Sequence, residues 1–195
     1  DLLNRLGQLP KVIQELERIE CRHLFFVPGN HERKEQIGPL LSRAFDEGEF
    51  MDVLRRIGTG RIRVLANEGE MVELGNTRVF VYGFDNSRYG KERYRPPEGE
   101  TEGAFRLVLA HSPSIEGWMA KHGVGYDLLL AGHTHGGQIR FVRQLLRRYR
   151  RYHVGLKRTG PDRYFYVHRG VGTVHLPLRV ACRPEIALFR IDPKD

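Results

Sequence analysis

The sequence predicts an α+β fold, two packed mixed β-sheets flanked by helices, in a single domain over residues 1–195. Three observations predict it. Apolar residues recur at helical spacing near the start and switch to strand-like alternation over 61–84. They also form short solid runs, "HLFFV", "FRLVLA" and "YDLLLA". A period near 3.6 marks an amphipathic helix, a period of two a half-buried strand, and a short solid run a buried strand. Hairpin signals in the middle and at the end argue against a purely parallel sheet with alternating helices.

The elements follow in order. Leu9, Val12, Ile13, Leu16 and Ile19 place a helix over roughly residues 9–20. "HLFFV", 23–27, is a buried strand that Pro28 and Gly29 end. Ile37, Leu40, Leu41 and Phe45, then Phe50, Val53, Leu54 and Ile57, predict a second helical region. Over 61–84 Val, Phe and Tyr alternate with polar residues, and Gly75-Asn76 is the hairpin turn. "SRYGKERYRPPEGETEG" is a polar loop, and "FRLVLA", 105–110, is a buried strand. A short helix around 114–122 leads to the strand "YDLLLA", and "RYFYVHRG" and "EIALFRI" predict closing strands.

A length of 195 residues supports a real core, and 40% hydrophobic residues exclude a disordered chain. No apolar run approaches the length of a membrane span. The chain begins at Asp1 without a signal-like segment and reads as a fragment or processed form. It is expected in the cytoplasm or peripherally on a membrane, with any anchor or signal upstream. Cys21 and Cys182 show no metal-type spacing, make no disulfide framework and lie far from the motifs in sequence.

The net charge of +8 is local. From Arg140 to Arg158 there are eight cations and no acid; without them 24 Lys and Arg face 24 Asp and Glu. Within this segment Val142, Leu145, Leu146, Tyr149 and Tyr152 fall at helical spacing, with Arg140, Arg143, Arg147 and Arg148 among them. A basic amphipathic helix can lie on an anionic membrane, bind a phosphorylated substrate, or pack on its own domain. Nucleic acid is the less favoured partner, because the apolar face is regular and no nucleic-acid motif is present.

Three strands end alike. "FFV" runs into Pro28-Gly29-Asn30-His31-Glu32, "LVLA" into His111-Ser112-Pro113, and "LLLA" into Gly132-His133-Thr134-His135. Loops at rigid strand ends can converge on one crevice. Imidazole with carboxamide or carboxylate oxygen suits first-row divalent metals. His133 and His135 are two apart, so an extended backbone would put both on one side, serving neighbouring ions. His23, His122, His153, His168 and His175 read as ordinary hydrogen-bonded histidines.

"GNHE", "HSP" and "GHTHGGQ", in that order and spacing, resemble the calcineurin-like metallophosphoesterases, and the likeness covers essentially the whole chain. The ending "VHRGVGTVHLPLRVACRPEI" resembles a bacterial branch with some members at or near membranes. The resemblance implies a four-layer sandwich with a two-metal site: two divalent ions, Mn favoured among Mn, Fe, Zn, Mg and Ni. Asn30, His111 and His133 would bind one ion and His135 the other. His31 would face the substrate, stabilising the transferring phosphoryl group or protonating the leaving oxygen. Asp1 would bridge the ions, and Asn4 would orient His31.

The family's first motif, Asp-x-His, is absent, which implies an N-terminally truncated domain with one site nearly complete and the other under-ligated. The expected function is metal-dependent hydrolysis of a phosphodiester or pyrophosphate, on a lipid-linked or amphiphilic substrate. The alternatives are a nuclease or nucleotide phosphodiesterase, and a catalytically inactive binding module.

Overall fold

In the computed structural model, which describes residues 2, 4–38, 41–96, 101–138, 153–173 and 177–192, the layering starts from one strand. β1 (Leu24–Phe26) pairs in parallel with β4 (Ile62–Val64), from Leu24 opposite Ile62 to Phe26 opposite Val64. Successive side chains of a strand point to opposite faces. Phe25 and the following Val27 therefore enter a core with Leu65, Val72, Val79 and Val81. Leu24 and Phe26 enter another, with Leu9, Val53 and Ile57. A strand buried on both faces reads as a solid apolar run, which is how "HLFFV" is written.

The outer side of this small sheet is covered by α1 (Leu9–Glu17) and α2 (Glu47–Ile57). α2 opens with a capping box: Asp46 accepts from the Glu49 amide at 2.8 Å, and Glu49 accepts from the Asp46 amide at 3.1 Å.

The inner side meets a six-stranded sheet. It comprises β5 (Glu68–Leu74), β6 (Thr77–Gly83), β7 (Phe105–Leu109), β8 (Leu128–Ala131), β9 (Gly155–Gly160) and β10 (Arg163–Val167), in the order β5-β6-β7-β8-β10-β9. The four central strands are parallel and the two edges antiparallel. On its far face Phe80, Tyr82, Phe84, Val108 and Leu129 pack against Ile115 and Met119 of α3 (Ile115–Lys121). The layers are thus helix, sheet, sheet, helix, as the sequence predicts.

Two expectations fail. The described residues on either side of Pro39 are not helical: β2 (Lys34–Gln36) pairs antiparallel with β3 (Ser42–Ala44). Gly38-Pro39, poor helix formers, outweigh the apolar spacing there. "EIALFRI" is not a closing strand among the described residues, where it has no ladder partner. Its alternation survives as burial: Ala187 and Phe189 are half-buried while Ile186 and Leu188 are 90% and 98% exposed. A period of two specifies a face, not a backbone partner. α1 also ends at Glu17, short of residue 20.

Gly83 ends β6 packed against Val27 and Leu65. A Cβ there would stand 2.3 Å from Leu65 Cβ, 2.7 Å from Val27 Cγ1 and 2.8 Å from the Leu65 carbonyl oxygen. Backbone is among the clashing atoms, so a rotamer change cannot relieve it. Gly83→Val is expected to cost about 1–3 kcal/mol by overpacking, read as a lowered midpoint in denaturant. An unchanged midpoint would show that the sheets slide apart freely.

Candidate metal centre

β1, β7 and β8 deliver the three motif loops. After β1 the chain passes Pro28 and Gly29 into a 3-10 turn, Asn30–Arg33. Glu32 is fully buried: one carboxylate oxygen accepts from the Gly29 amide at 2.7 Å, the other from the Leu2 amide at 2.8 Å. The last residue of "GNHE" is thus a clamp that shapes the turn and ties it to the amino-terminal segment.

β7 and β8 are in register, Leu109 opposite Leu130, and their ladder continues past the strand ends. Ala110 donates to the Leu130 carbonyl at 3.0 Å and Gly132 to the His111 carbonyl at 2.9 Å. His111 therefore sits beside Gly132, one residue from His133. The chain then turns sharply, with the Thr134 amide on the Gly132 carbonyl at 2.7 Å and His133 at φ +66.

The result is a convergence. His111 Nε2 lies 2.9 Å from Asn30 Oδ1 and 2.7 Å from His133 Nδ1. His111 is buried and His133 exposed. Burial, reinforced by the neighbouring His133, His31 and His135 imidazoles, holds His111 well below the usual histidine range. It is neutral at physiological pH, so its ring can offer a lone pair.

The sequence predicts an extended backbone that puts His133 and His135 on one side, and the structure corrects this. β8 ends at Ala131, and His133, His135 and Gln138 all have positive φ. Glycines make room for these left-handed turns. At Gly136, φ +61, a Cβ would stand 2.7 Å from both Arg169 Cγ and Cys182 Sγ. The His135 carbonyl is held from outside, accepting from Cys182 Sγ at 3.2 Å and Arg179 Nη1 at 3.4 Å. Cys182, remote in sequence, is therefore adjacent to the third motif in space.

Two imidazole nitrogens and a carboxamide oxygen fit an N/O site for a first-row divalent ion. Among the described residues no group of three His, Cys, Asp or Glu side chains is placed to hold a metal. The converging trio escapes that description because its third member is Asn30. For a second ion the described residues bring His135 to the same cleft. Asp1, Arg140, Arg143, Arg147, Arg148, the predicted basic helix and His175 lie outside the described residues.

The cleft, about 1060 Å³, is lined by His31, His111, His133 and His135 and by an apolar flank of Phe25, Phe26 and Phe189. Asn4 and His168 also line it. His168 Nδ1 accepts from the Gly170 amide at 2.7 Å, and burial followed by Arg169 and Arg179 pushes its pKa down. His122 bonds the Trp118 carbonyl at 2.7 Å, His153 the Phe165 carbonyl at 3.0 Å, and His23 stacks on Phe25.

Sequence reasoning missed Arg33, Asp85, Asn86, Ser87 and Arg179, which hold the motif loops. A signal was present: "FVYG" runs into "FDNS" as the other strands run into their motifs, but with no imidazole to mark it.

The family model described as calcineurin-like phosphoesterase matches residues 1–137. Among similar proteins is an uncharacterized metallophosphoesterase of Helicobacter pylori, 33% identical over 92% of this chain and 46% of its own length. Another is phosphodiesterase YaeI of Escherichia coli, 32% identical over 88% of this chain and 59% of its own. A third is an uncharacterized metallophosphoesterase of Aquifex aeolicus, 33% identical over 87% and 61%. The chain spans about half the length of these relatives.

Proposed function

The chain belongs to the calcineurin-like phosphoesterase family, and from that membership we propose that it hydrolyses a phosphodiester or pyrophosphate with two divalent ions. The observation that carries the reading is the approach of Asn30 Oδ1, at 2.9 Å, and His133 Nδ1, at 2.7 Å, to His111 Nε2. These three hold one ion; His135, with Asp1 from outside the described residues, serves the other. Mn²⁺ is the ion we favour on the family likeness; the N/O donor set suits Fe²⁺ and Zn²⁺ as well.

When bound, two such ions supply positive charge for phosphate oxygens and lower the pKa of a water nucleophile. The chain's own residues do the rest. Neutral His111 keeps a lone pair available for the metal, and His133 presents Nδ1 beside it. His31, in the same cleft, faces the phosphoryl group and offsets its developing charge or protonates the leaving oxygen. Neither free cysteine is needed as a nucleophile; Cys182 is occupied at the His135 carbonyl.

Phe25, Phe26 and Phe189, which line the same cleft as the imidazoles, support an amphiphilic or lipid-linked substrate. The basic segment from Arg140 to Arg158 supports peripheral contact with an anionic membrane. No helix among the described residues is long and apolar enough to cross one.

The test uses the full-length polypeptide, stripped of metal, with bis(p-nitrophenyl) phosphate and Mn²⁺. Hydrolysis that appears with Mn²⁺ and vanishes with chelator is expected. Metal binding without turnover of any diester would favour the inactive binding module. Tighter binding to DNA than to anionic vesicles across a salt series would favour the nuclease.

A further inference from the structure

A fourth polar loop, Asp85-Asn86-Ser87, leaves the carboxyl end of β6 between the loop carrying Asn30 and His31 and the loop carrying His111. We propose that these three residues are positioning residues that lock the two metal-binding turns into one frame. Their consequence for metal rests on the phosphoesterase reading; the frame itself rests on geometry alone.

All three are buried, at 7%, 6% and 6% exposure. They grip the first turn through Arg33, the residue after Glu32. Arg33 Nη2 donates to Asp85 Oδ2 at 2.8 Å and Nε to Ser87 Oγ at 2.6 Å. Its Nη1 donates to Glu47 at 3.1 Å, and its plane lies 3.6 Å from the centre of the Phe50 ring. A guanidinium held by three partners and a ring face has no freedom left, and the planar fork makes the grip directional. Ser87 in turn donates to Asp85 Oδ1.

They grip the second turn through Asn86. Its Oδ1 accepts from the Ser112 amide at 3.0 Å and its Nδ2 donates to the Ser112 carbonyl at 3.1 Å. This reciprocal pair fixes the peptide next to His111. The loop is itself anchored below: Asn67 Oδ1 accepts from the Asp85 amide at 3.1 Å, and the Phe84 amide donates to the Leu109 carbonyl at 2.9 Å.

Buried polar networks of this kind hold together because each lost partner leaves another group unpaired away from water. The 2.9 Å approach of Asn30 to His111 joins residues 81 positions apart. The Arg33–Asp85 and Asn86–Ser112 contacts are buried polar links that hold the two turns without touching the donor atoms. Partners behind metal ligands typically govern affinity by about 10–100-fold.

The test compares Asn86→Ala, Arg33→Lys and their combination with Val72→Ala, which loosens the core between the sheets. Mn²⁺ affinity by calorimetry, thermal midpoint and amide hydrogen exchange are measured on each. Asn86→Ala and Arg33→Lys are each expected to weaken Mn²⁺ about tenfold or more. Val72→Ala should lower the midpoint and leave affinity unchanged, separating position from stability. Arg33 and Asn86 do not touch, so a combined loss smaller than the product of the two reveals the shared frame. Asn86→Ala should also speed exchange in the Asn30–Arg33 turn, not only at 111–114. Additive losses, with exchange changed only at 111–114, would overturn the frame. If the unaltered protein binds no Mn²⁺, the phosphoesterase reading falls, and the exchange pattern alone decides the frame.

Discussion

His111→Ala is expected to abolish tight Mn²⁺ binding and with it hydrolysis. His111 is the hub of the converging trio, within 2.9 Å of Asn30 Oδ1 and 2.7 Å of His133 Nδ1, and it is buried while His133 is exposed. Removing it deletes the donor that lies against both Asn30 and His133. The loss of affinity should exceed the roughly 10–100-fold of a lost outer partner. Turnover should fall further than the roughly 10²–10³-fold of a single lost oxyanion-type donor. Calorimetry with Mn²⁺ and a diester assay in the full-length polypeptide check both. A preserved thermal midpoint in the metal-free protein would place the defect in the site. Undiminished Mn²⁺ affinity would falsify the assignment of this centre.

A second feature makes His111 the sensitive member. Its ring is kept neutral chiefly by burial, and neighbouring imidazoles add to the effect. A histidine whose folded pKa lies below its unfolded value costs stability as pH falls through the unfolded value, near 6.5. The metal-free protein should therefore lose stability below about pH 6.5, and bound metal should blunt that loss because it competes with the proton for the same lone pair.

Much of this was legible in the sequence because strands announce their own ends. "FFV", "LVLA" and "LLLA" become β1, β7 and β8, and each hands its loop to the same cleft. The hairpin turn at Gly75-Asn76 was equally plain, since Gly75 takes φ +63 between β5 and β6. What stayed hidden depends on contacts distant in sequence. Nothing local marks Asp85 as the partner of Arg33, 52 residues away, or Cys182 as the donor to His135. The hairpin of β2 and β3 was missed because apolar spacing imitated a helix across Gly38-Pro39. The His133 and His135 geometry was missed because strand alternation was extended past Ala131, where the backbone enters left-handed turns. Period and composition report faces and ends; they do not report which polar side chain will meet which turn.

His31→Ala is expected to behave differently from His111→Ala, and the contrast assigns its role. His31 lines the cleft but is not one of the trio within 2.7–2.9 Å. Its removal should leave Mn²⁺ affinity intact and lower kcat by about 10²–10³-fold, the scale of a lost charge-stabilising group. The two roles open to it separate by leaving group. A general acid matters most when the departing oxygen is basic and adds about 10²–10⁴-fold there. A p-nitrophenolate departs without help. If His31 protonates the leaving oxygen, the defect should be severe on an alkyl diester and small on bis(p-nitrophenyl) phosphate. If it stabilises the phosphoryl oxygens, both substrates should suffer alike. Loss of Mn²⁺ affinity in His31→Ala would instead move this residue into the metal shell and remove it from either role.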